Sequence, residues 1–141
     1  MQKHMAWSAV GEAFVVVHDE EPPSDSDWRV WLGEYGASIA AGNTRVLVVF
    51  SSGGAPTTAQ RKELLAFLHQ TKKPPATVMI TSSAVARGVI TAVGWFIREE
   101  HRARAFRPDE EESAYTFLSL DAATRVNVRA TRERLRATLD A

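Results

Sequence analysis

The sequence contains no cysteine in its 141 residues. This absence excludes disulfides, thiolate nucleophiles, iron–sulfur clusters and cysteine-type zinc sites. An excess of either charge is also missing, because 17 Lys and Arg residues balance 17 Asp and Glu residues. A generic nucleic-acid binder or a polybasic membrane-binding protein normally carries a large positive excess, so we expect neither class.

Long hydrophobic runs are missing as well. The longest mostly apolar run, Val85 to Ile97, contains Arg87 and is too short and too charged to span a bilayer. The N-terminal residues have no apolar core of signal-peptide length. We therefore expect a soluble, cytoplasmic protein. Its length predicts a single domain over 1–141, with a core at about 5–120 and a final helix at about 121–139.

Sequence motifs of common catalytic and cofactor sites are absent too. The chain has no Gly-x-Gly-x-x-Gly, no Gly-Lys-[Ser/Thr] and no Gly-x-Ser-x-Gly pattern. His4, His69 and His101 are scattered and show no metal-ligand spacing. We therefore predict no metal and no cofactor, and the motifs assign no catalytic residue.

Strand-like and helix-like segments alternate along the chain. Short apolar runs bounded by Gly, Pro, Asp or Ser predict strands at Met5–Ala9, Phe14–His18, Arg45–Phe50, Thr77–Ile80 and Arg104–Phe106. Helix-start signals follow at Ser24, at Thr57 with Gln60, at Ser83, at Pro108 and at Asp121. The resulting order, β-β-α-β-α-β-α-β-α-α, predicts an α/β fold: a mainly parallel sheet of four to five strands, with an N-terminal β-hairpin and covering helices.

The carboxyl ends of parallel strands are where open α/β sheets bind ligands. The carboxyl ends of four predicted strands are at His18-Asp19, at Ser51 to Thr58, at Thr81 to Arg87 and at Phe106-Arg107. Because parallel strands end at the same edge, we expect the polar residues that follow them to lie together. These residues supply the candidate sites discussed next.

The segment from Ser51 to Thr58 is the first candidate. It offers four hydroxyls and two glycines at a helix opening, where free backbone N–H groups attract anions. A plain connection, with one threonine acting only as a cap, explains the same composition. The candidate partner-binding or phosphorylation residues are Ser51, Ser52, Thr57 and Thr58, with Gly53 and Gly54 as anion-binding candidates.

A second anion-binding candidate comprises Ser82, Ser83 and Arg87. Arg87 follows Ser83 by one helical turn and can reach an anion at the helix start. The alternative is an N-cap serine and a solvated arginine. A third arrangement, a serine hydrolase, would combine Ser51 or Ser52 with His18 and Asp19.

Two helix faces complete the set of candidates. One face of the last helix carries four arginines, Arg125, Arg129, Arg132 and Arg136, and we interpret it as a solvated outer face. We interpret the acidic run 109–112 as a complement to the helix dipole. The helix that begins near Val85 is apolar around much of its circumference, which is typical of a helix buried on more than one side. This pattern predicts a partner or homodimer interface at Val89, Val93, Trp95 and Phe96.

The order of elements and the length resemble the STAS domain, the sulfate-transporter and anti-sigma-factor-antagonist family, over about residues 5–120. In that family a phosphorylatable serine or threonine opens the helix after the third strand, in an Asp-Ser-Ser-Gly or Asp-Ser-Thr-Gly context. Ser51-Ser52-Gly53 matches the Ser-Ser-Gly part, whereas Phe50 stands where the family has Asp. By position at the helix opening, Thr57 or Thr58 is the better counterpart, and the extra C-terminal helix departs from the family.

This resemblance implies a small stand-alone bacterial signalling module without enzyme activity. Such a module would bind a partner protein around residues 51–58, as a homodimer or in a complex. Two further alternatives stay open. One is a small-anion or nucleotide-binding domain at the strand ends, with a lipid-binding variant that needs a void between the helix near Val85 and the sheet. The other is the serine hydrolase.

Overall fold

A five-stranded sheet organises the chain. The computed structural model describes residues 3–95 and 103–140, except for the side chains of residues 90–95. The strands lie in the sheet in chain order: β1 (Met5–Val10), β2 (Ala13–His18), β3 (Val46–Ser51), β4 (Ala76–Thr81) and β5 (Ala103–Phe106). β1 pairs antiparallel with β2, and all other neighbouring strands are parallel. The predicted α/β fold with an N-terminal hairpin is confirmed.

Helices connect the strands and cover both faces of the sheet. They are α1 (Asp25–Ala40), α2 (Thr58–Gln70), α3 (Ala84–Trp95), α4 (Glu111–Phe117) and α5 (Ala122–Asp140), with a 3-10 turn at Pro108–Glu110 before α4. Most of the predicted caps form. Ser24 accepts from the Asp27 N–H, Asp121 accepts from the Thr124 N–H, and Gly42 adopts the left-handed conformation just after α1.

Alternate residues of the strands enter two hydrophobic cores. On one face Val15, Val48 and Phe50 pack with side chains of α4 and α5, including Tyr115 and Leu135. We call this the α5 face. On the other face the intervening strand residues pack with α1, α2 and α3, in a cluster that contains Phe14, Val16, Trp28, Trp31, Tyr35, Leu47 and Val49. We call this the α1 face. Because both faces are covered, β2 and β3 are buried along their whole length, as their lack of polar alternation predicts.

Candidate functional site

The ends of β2, β3 and β4 meet at one edge of the sheet. The Cα of His18 is paired with that of Ser51, and Ser51 is paired with Thr81. The expectation that the three strands run in the same direction and gather their terminal residues is therefore confirmed. All three residues are buried. The accessible polar groups of this edge must consequently come from the loops that follow the strands.

The loop after β3 is closely packed. The Ser51 hydroxyl donates to the Gly54 carbonyl at 2.5 Å and accepts from the Gly53 N–H. The Gly54 N–H donates to the carbonyl of Asp19, and a Cβ added at Gly54 would lie 2.6 Å from that oxygen. Gly53 has a φ of +132°, a conformation that favours glycine. The glycines therefore serve a tight contact between two strand-end loops.

Three of the residues predicted for partner or anion binding are consequently engaged within this loop. Ser51 is buried, so it is not an accessible phosphorylation site. The N–H groups of Gly53 and Gly54 already donate within the protein, which corrects the expectation that they bind an anion. Ser52, by contrast, is exposed.

The opening of α2 is fixed by the predicted capping box. The Thr57 hydroxyl accepts from the Gln60 N–H, and the Gln60 side chain accepts from the Thr57 N–H at 2.9 Å. Gln60 is buried and also donates to the Pro23 carbonyl and to Asp25, which joins α2 to the start of α1. Thr58 is exposed, and its hydroxyl accepts from the Arg61 guanidinium at 3.0 Å. Thr57 is thus a cap, whereas the Thr58 hydroxyl is not required for the cap.

In the second predicted anion-binding set, Ser83 and Arg87 make contacts within the fold. Ser83 caps α3 by accepting from the Ala86 N–H at 3.1 Å. The Arg87 guanidinium donates to the Thr81 carbonyl at the end of β4, so part of its donor capacity is used within the fold, and anion binding at the helix start stays a prediction. Ser82 remains exposed.

A polar groove lies at this edge on the α5 face. Its volume is about 360 Å³, and its lining includes Ser52, Ser82, Glu111, Glu133 and Arg136. We call it the edge groove. The sequence pointed to both serines and to Arg136, but it gave no signal that the last helix would bring Arg136 to the strand ends.

The basic stripe of α5 is mostly paired inside the chain. Arg125 and Arg129 form ion pairs with Glu112, and Arg129 and Arg132 with Glu111. The Arg129 guanidinium also lies over the Tyr115 ring, and that of Arg132 over the Phe50 ring. The interpretation of these three arginines as a solvated outer face is therefore wrong. Instead of acting only as a helix-dipole complement, the acidic residues of α4 bind the stripe.

Two residues of the hydrolase arrangement, Ser51 and Asp19, have other partners. The Ser51 hydroxyl donates to Gly54, and the Asp19 carboxylate lies 2.7 Å from His4 Nδ1. His18 is only 3% exposed, and burial lowers its pKa to about 4. Its Nδ1 has no hydrogen-bond partner in the described part of the chain. Ser51, His18 and Asp19 therefore do not form a nucleophile–base–acid chain, and the arrangement with Ser52 is not tested by these contacts.

An apolar cavity lies on the α1 face, below the same edge. Its volume is about 60 Å³. Residues of β2, β3 and β4 form its floor, α1 contributes Trp28 and Trp31, and Pro56, Arg61, Leu64 and Val89 are half-buried on its outer side. We call it the α1 cavity. Among the described side chains of α3, only Val89 lines it, so the void between α3 and the sheet that the lipid-binding alternative requires stays a prediction.

The predicted interface on α3 falls largely outside the described residues. Val89 is half-buried and lines the α1 cavity, and Val85 is 79% exposed. The side chains of Val93 and Trp95, and all of Phe96, lie outside the part that the structure describes. The interface at these positions stays a prediction.

Comparisons with protein-family models, curated proteins and solved structures find no match for this chain. The resemblance to the STAS family rests on the order of elements. Within residues 3–95 and 103–140, no helix has the length and hydrophobicity that a membrane span requires. Over the same residues, no group of three His, Asp or Glu side chains is placed to hold a metal ion.

Proposed function

We propose that this chain is a non-enzymatic regulatory or scaffolding module that binds a partner protein at the carboxyl edge of its sheet. The binding surface comprises Ser52, Ser82 and Arg136 in the edge groove, together with Thr58 at the α2 opening. One observation carries the proposal: these four side chains are exposed at one edge, while the buried Ser51 hydroxyl and the α2 cap beside them are engaged in the fold.

The surface is held on a rigid frame. The capping box fixes the first turn of α2, Gln60 ties that turn to α1, and Gly54 packs against the loop that follows β2. A preformed surface loses less conformational entropy on binding than a mobile one, which favours recognition of a folded partner.

Thr58 is the residue we propose for regulation by phosphorylation. Its hydroxyl is accessible and lies beside the Arg61 guanidinium at the N-terminus of a helix. A phosphate there would add a charge of about −1.5 to −2, which both the helix dipole and Arg61 stabilise. The new charge would stand on the binding surface and would change its complementarity to a partner.

A second candidate is a small phosphate-bearing ligand in the edge groove. Arg136 lies there with two serines, and no ion pair of Arg136 is seen among the described residues. Two carboxylates, Glu111 and Glu133, line the same groove and oppose an anion. Thermal stabilisation by inorganic phosphate, lost in Arg136→Gln, would support this candidate over a protein partner.

Site-specific photo-crosslinking in the native host tests the partner proposal. A photoreactive residue replaces Ser52 or Thr58 at the carboxyl edge, and in control variants it replaces Asn43 or Lys73. Both control positions are exposed and precede β3 and β4, so they lie at the opposite edge. We expect a discrete protein adduct from the carboxyl-edge variants and none from the controls.

The test distinguishes several results. Equal adducts from both edges, or adducts from the amino edge alone, would contradict the proposed surface. An adduct of the chain with itself would identify the partner as a second copy. Adding Thr58→Glu to the Ser52 crosslinking variant then tests regulation by phosphorylation. If Thr58 is a switch, this substitution changes the yield of the adduct. Thr138→Glu on α5 is the matched control.

A further inference from the structure

Arg136 has no ion pair among the residues that the structure describes, unlike the rest of the basic stripe of α5. The other three arginines of the stripe form ion pairs with three carboxylates, those of Glu111, Glu112 and Glu133. The positive charges of these three arginines are therefore matched, and the exposed Arg136 guanidinium is left over. A guanidinium can bind an anion well, because its fork of N–H donors fits a carboxylate or a phosphate.

The edge groove brings Arg136 together with two exposed hydroxyls. Ser52 follows β3 and Ser82 follows β4, and both line this groove of about 360 Å³. Its volume lies near the lower end of the range for ligand pockets, which is about 300–1,000 Å³. The groove is therefore large enough for one side chain and a short stretch of the backbone that carries it.

The two carboxylates that line the groove are compensated within the chain. Glu111 is bound by Arg129 and Arg132, and its side chain is only 18% exposed. The Glu133 carboxylate lies 3.1 Å from the Arg132 guanidinium. An anion that enters the groove thus meets one uncompensated positive charge, that of Arg136.

Backbone N–H groups of the neighbouring loops are already engaged. The Ser52 N–H donates to the His18 carbonyl, and the Ser83 N–H donates to the Thr81 hydroxyl at 3.1 Å. The Gly53 N–H is used within its own loop. Sites for phosphate groups and for chain-terminal carboxylates commonly draw on such N–H groups. A ligand in the edge groove is consequently held by side chains.

We propose that the edge groove receives the carboxylate of an Asp or Glu side chain of the partner protein, which pairs with the Arg136 guanidinium. The Ser52 and Ser82 hydroxyls donate to this carboxylate or to the adjacent backbone. A carboxylate has one negative charge and matches one guanidinium, whereas a phosphate group of about −1.5 to −2 would stay partly uncompensated beside Glu111 and Glu133. This inference rests on the proposed function, because it names the chemistry by which the partner is recognised.

A pair of blocked peptides tests this chemistry with the full chain. The probe is N-acetyl-Gly-Leu-Glu-Ser-Gly-amide, whose only charge is the glutamate carboxylate, and the matched control has Gln in place of Glu. Each peptide is titrated while the arginine Nε–H signals are followed in a ¹⁵N-correlated NMR spectrum. Arg136→Gln assigns the Arg136 signal. Arg134→Gln is the control variant, because Arg134 is exposed on the same helix but is not part of the groove lining.

We expect the Glu peptide to shift the Arg136 signal saturably. The Gln peptide should bind about ten- to a hundredfold more weakly, the factor that one hydrogen bond to a charged group contributes. Arg136→Gln should weaken binding of the Glu peptide by a similar factor, and Arg134→Gln should leave it close to the wild-type value. Ser82→Asp, which adds a negative charge to the groove, should also weaken binding, whereas the uncharged Ser82→Asn should weaken it far less. These two variants keep the test decisive if Arg136→Gln disturbs the fold.

The Thr58 crosslinking variant connects the groove to the partner, because it leaves the groove residues intact. Adding Arg136→Gln should lower its adduct yield about tenfold or more, and adding Arg134→Gln should not. A full yield with Arg136→Gln would overturn this inference and leave the proposed function in place. If neither carboxyl-edge variant gives an adduct, the proposed function is contradicted, and the titration alone decides whether the groove recognises a carboxylate.

Three results of the titration would overturn the inference. The first is an absence of saturable shifts of the Arg136 signal. The second is equal affinity for the Glu and Gln peptides, which would show that the carboxylate plays no part. The third is tighter binding of inorganic phosphate than of the Glu peptide at Arg136, which would assign the groove to a phosphate-bearing ligand.

Discussion

The Asp19 carboxylate lies 2.7 Å from Nδ1 of His4, 15 residues earlier in the chain, although His18 is its neighbour in sequence. The two histidines beside Asp19 thus have opposite environments. His4 is partly exposed and bound to a carboxylate, whereas His18 is enclosed by hydrocarbon. Their protonation is therefore expected to affect stability with opposite signs.

Asp19→Asn should lower the pKa of His4. In the folded protein the hydrogen bond that the His4 ring donates to the Asp19 carboxylate raises this pKa above 6.5. The contribution of the pair to stability is therefore fully present below pH 6.5 and is lost as the pH rises through the raised value. An NMR titration of the His4 ring in both proteins measures the change; identical pKa values would show that the pair does not form in solution.

Replacing His18 by Leu should make the free energy of unfolding depend less on pH below pH 6.5. Its folded pKa of about 4 lies below 6.5, so the unfolded chain binds the extra proton and stability falls as the pH falls through this window. The wild type should lose about 3 kcal/mol more across the window than His18→Leu. Urea unfolding at several pH values measures the difference, and equal slopes for the wild type and His18→Leu would contradict it.

Gly54→Ala should destabilise the protein by about 1–3 kcal/mol, the usual cost of overpacking. The added Cβ would approach the backbone oxygens of Glu21 and Asp19 to 2.4 and 2.6 Å, and backbone atoms cannot give way easily. Gly33→Ala is the matched control, since a Cβ there meets open space on α1 and should stabilise the helix by about 0.5–1 kcal/mol. Equal midpoints in thermal unfolding would contradict the tight packing of the loop.

Gln60→Leu should cost more than the loss of either threonine at the α2 opening. The buried amide of Gln60 bonds to Thr57, Pro23 and Asp25, so its removal leaves several groups unpaired. We expect the free energy of unfolding to fall by about 2–4 kcal/mol in Gln60→Leu, by about 1 kcal/mol in Thr57→Ala and by less than about 0.5 kcal/mol in Thr58→Ala. Denaturant midpoints rank the three, and a large cost at Thr58 would show that its hydroxyl has a structural role.

Glu111→Gln should weaken the ion pairs that hold α4 against α5. The carboxylate binds both Arg129 and Arg132 and is mostly shielded from solvent, so its loss should cost about 1–3 kcal/mol. Glu133→Gln is the control, because its carboxylate is 69% exposed and should contribute less than about 1 kcal/mol. Equal costs in urea unfolding would indicate that the α4–α5 ion pairs are no stronger than ordinary surface pairs.

Local patterns were enough to predict the fold. The uninterrupted apolar runs of β2, β3 and β4 predict buried parallel strands, because a strand covered on both faces has no polar alternation. The Thr57–Gln60 capping box is likewise a local signal and forms as predicted. Both features depend only on residues close together in sequence.

The candidate site was harder to predict because its geometry depends on distant contacts. Nothing in the sequence shows that Gly54 faces the Asp19 carbonyl, so the composition of the loop alone predicts an anion site. The pairing of Arg129 with Glu111 spans 18 residues and two helices, beyond the reach of helical spacing rules.

Strand β3 lies between the α1 cavity and the edge groove and contributes a wall to each. Val49 is a wall of the α1 cavity, and its neighbour Phe50 is a wall of the edge groove. A substitution at either residue that shifts the strand changes both compartments at once. Mutagenesis meant to separate the two should therefore spare β3 and use the helices, with Leu64 reporting on the α1 cavity and Arg136 on the edge groove.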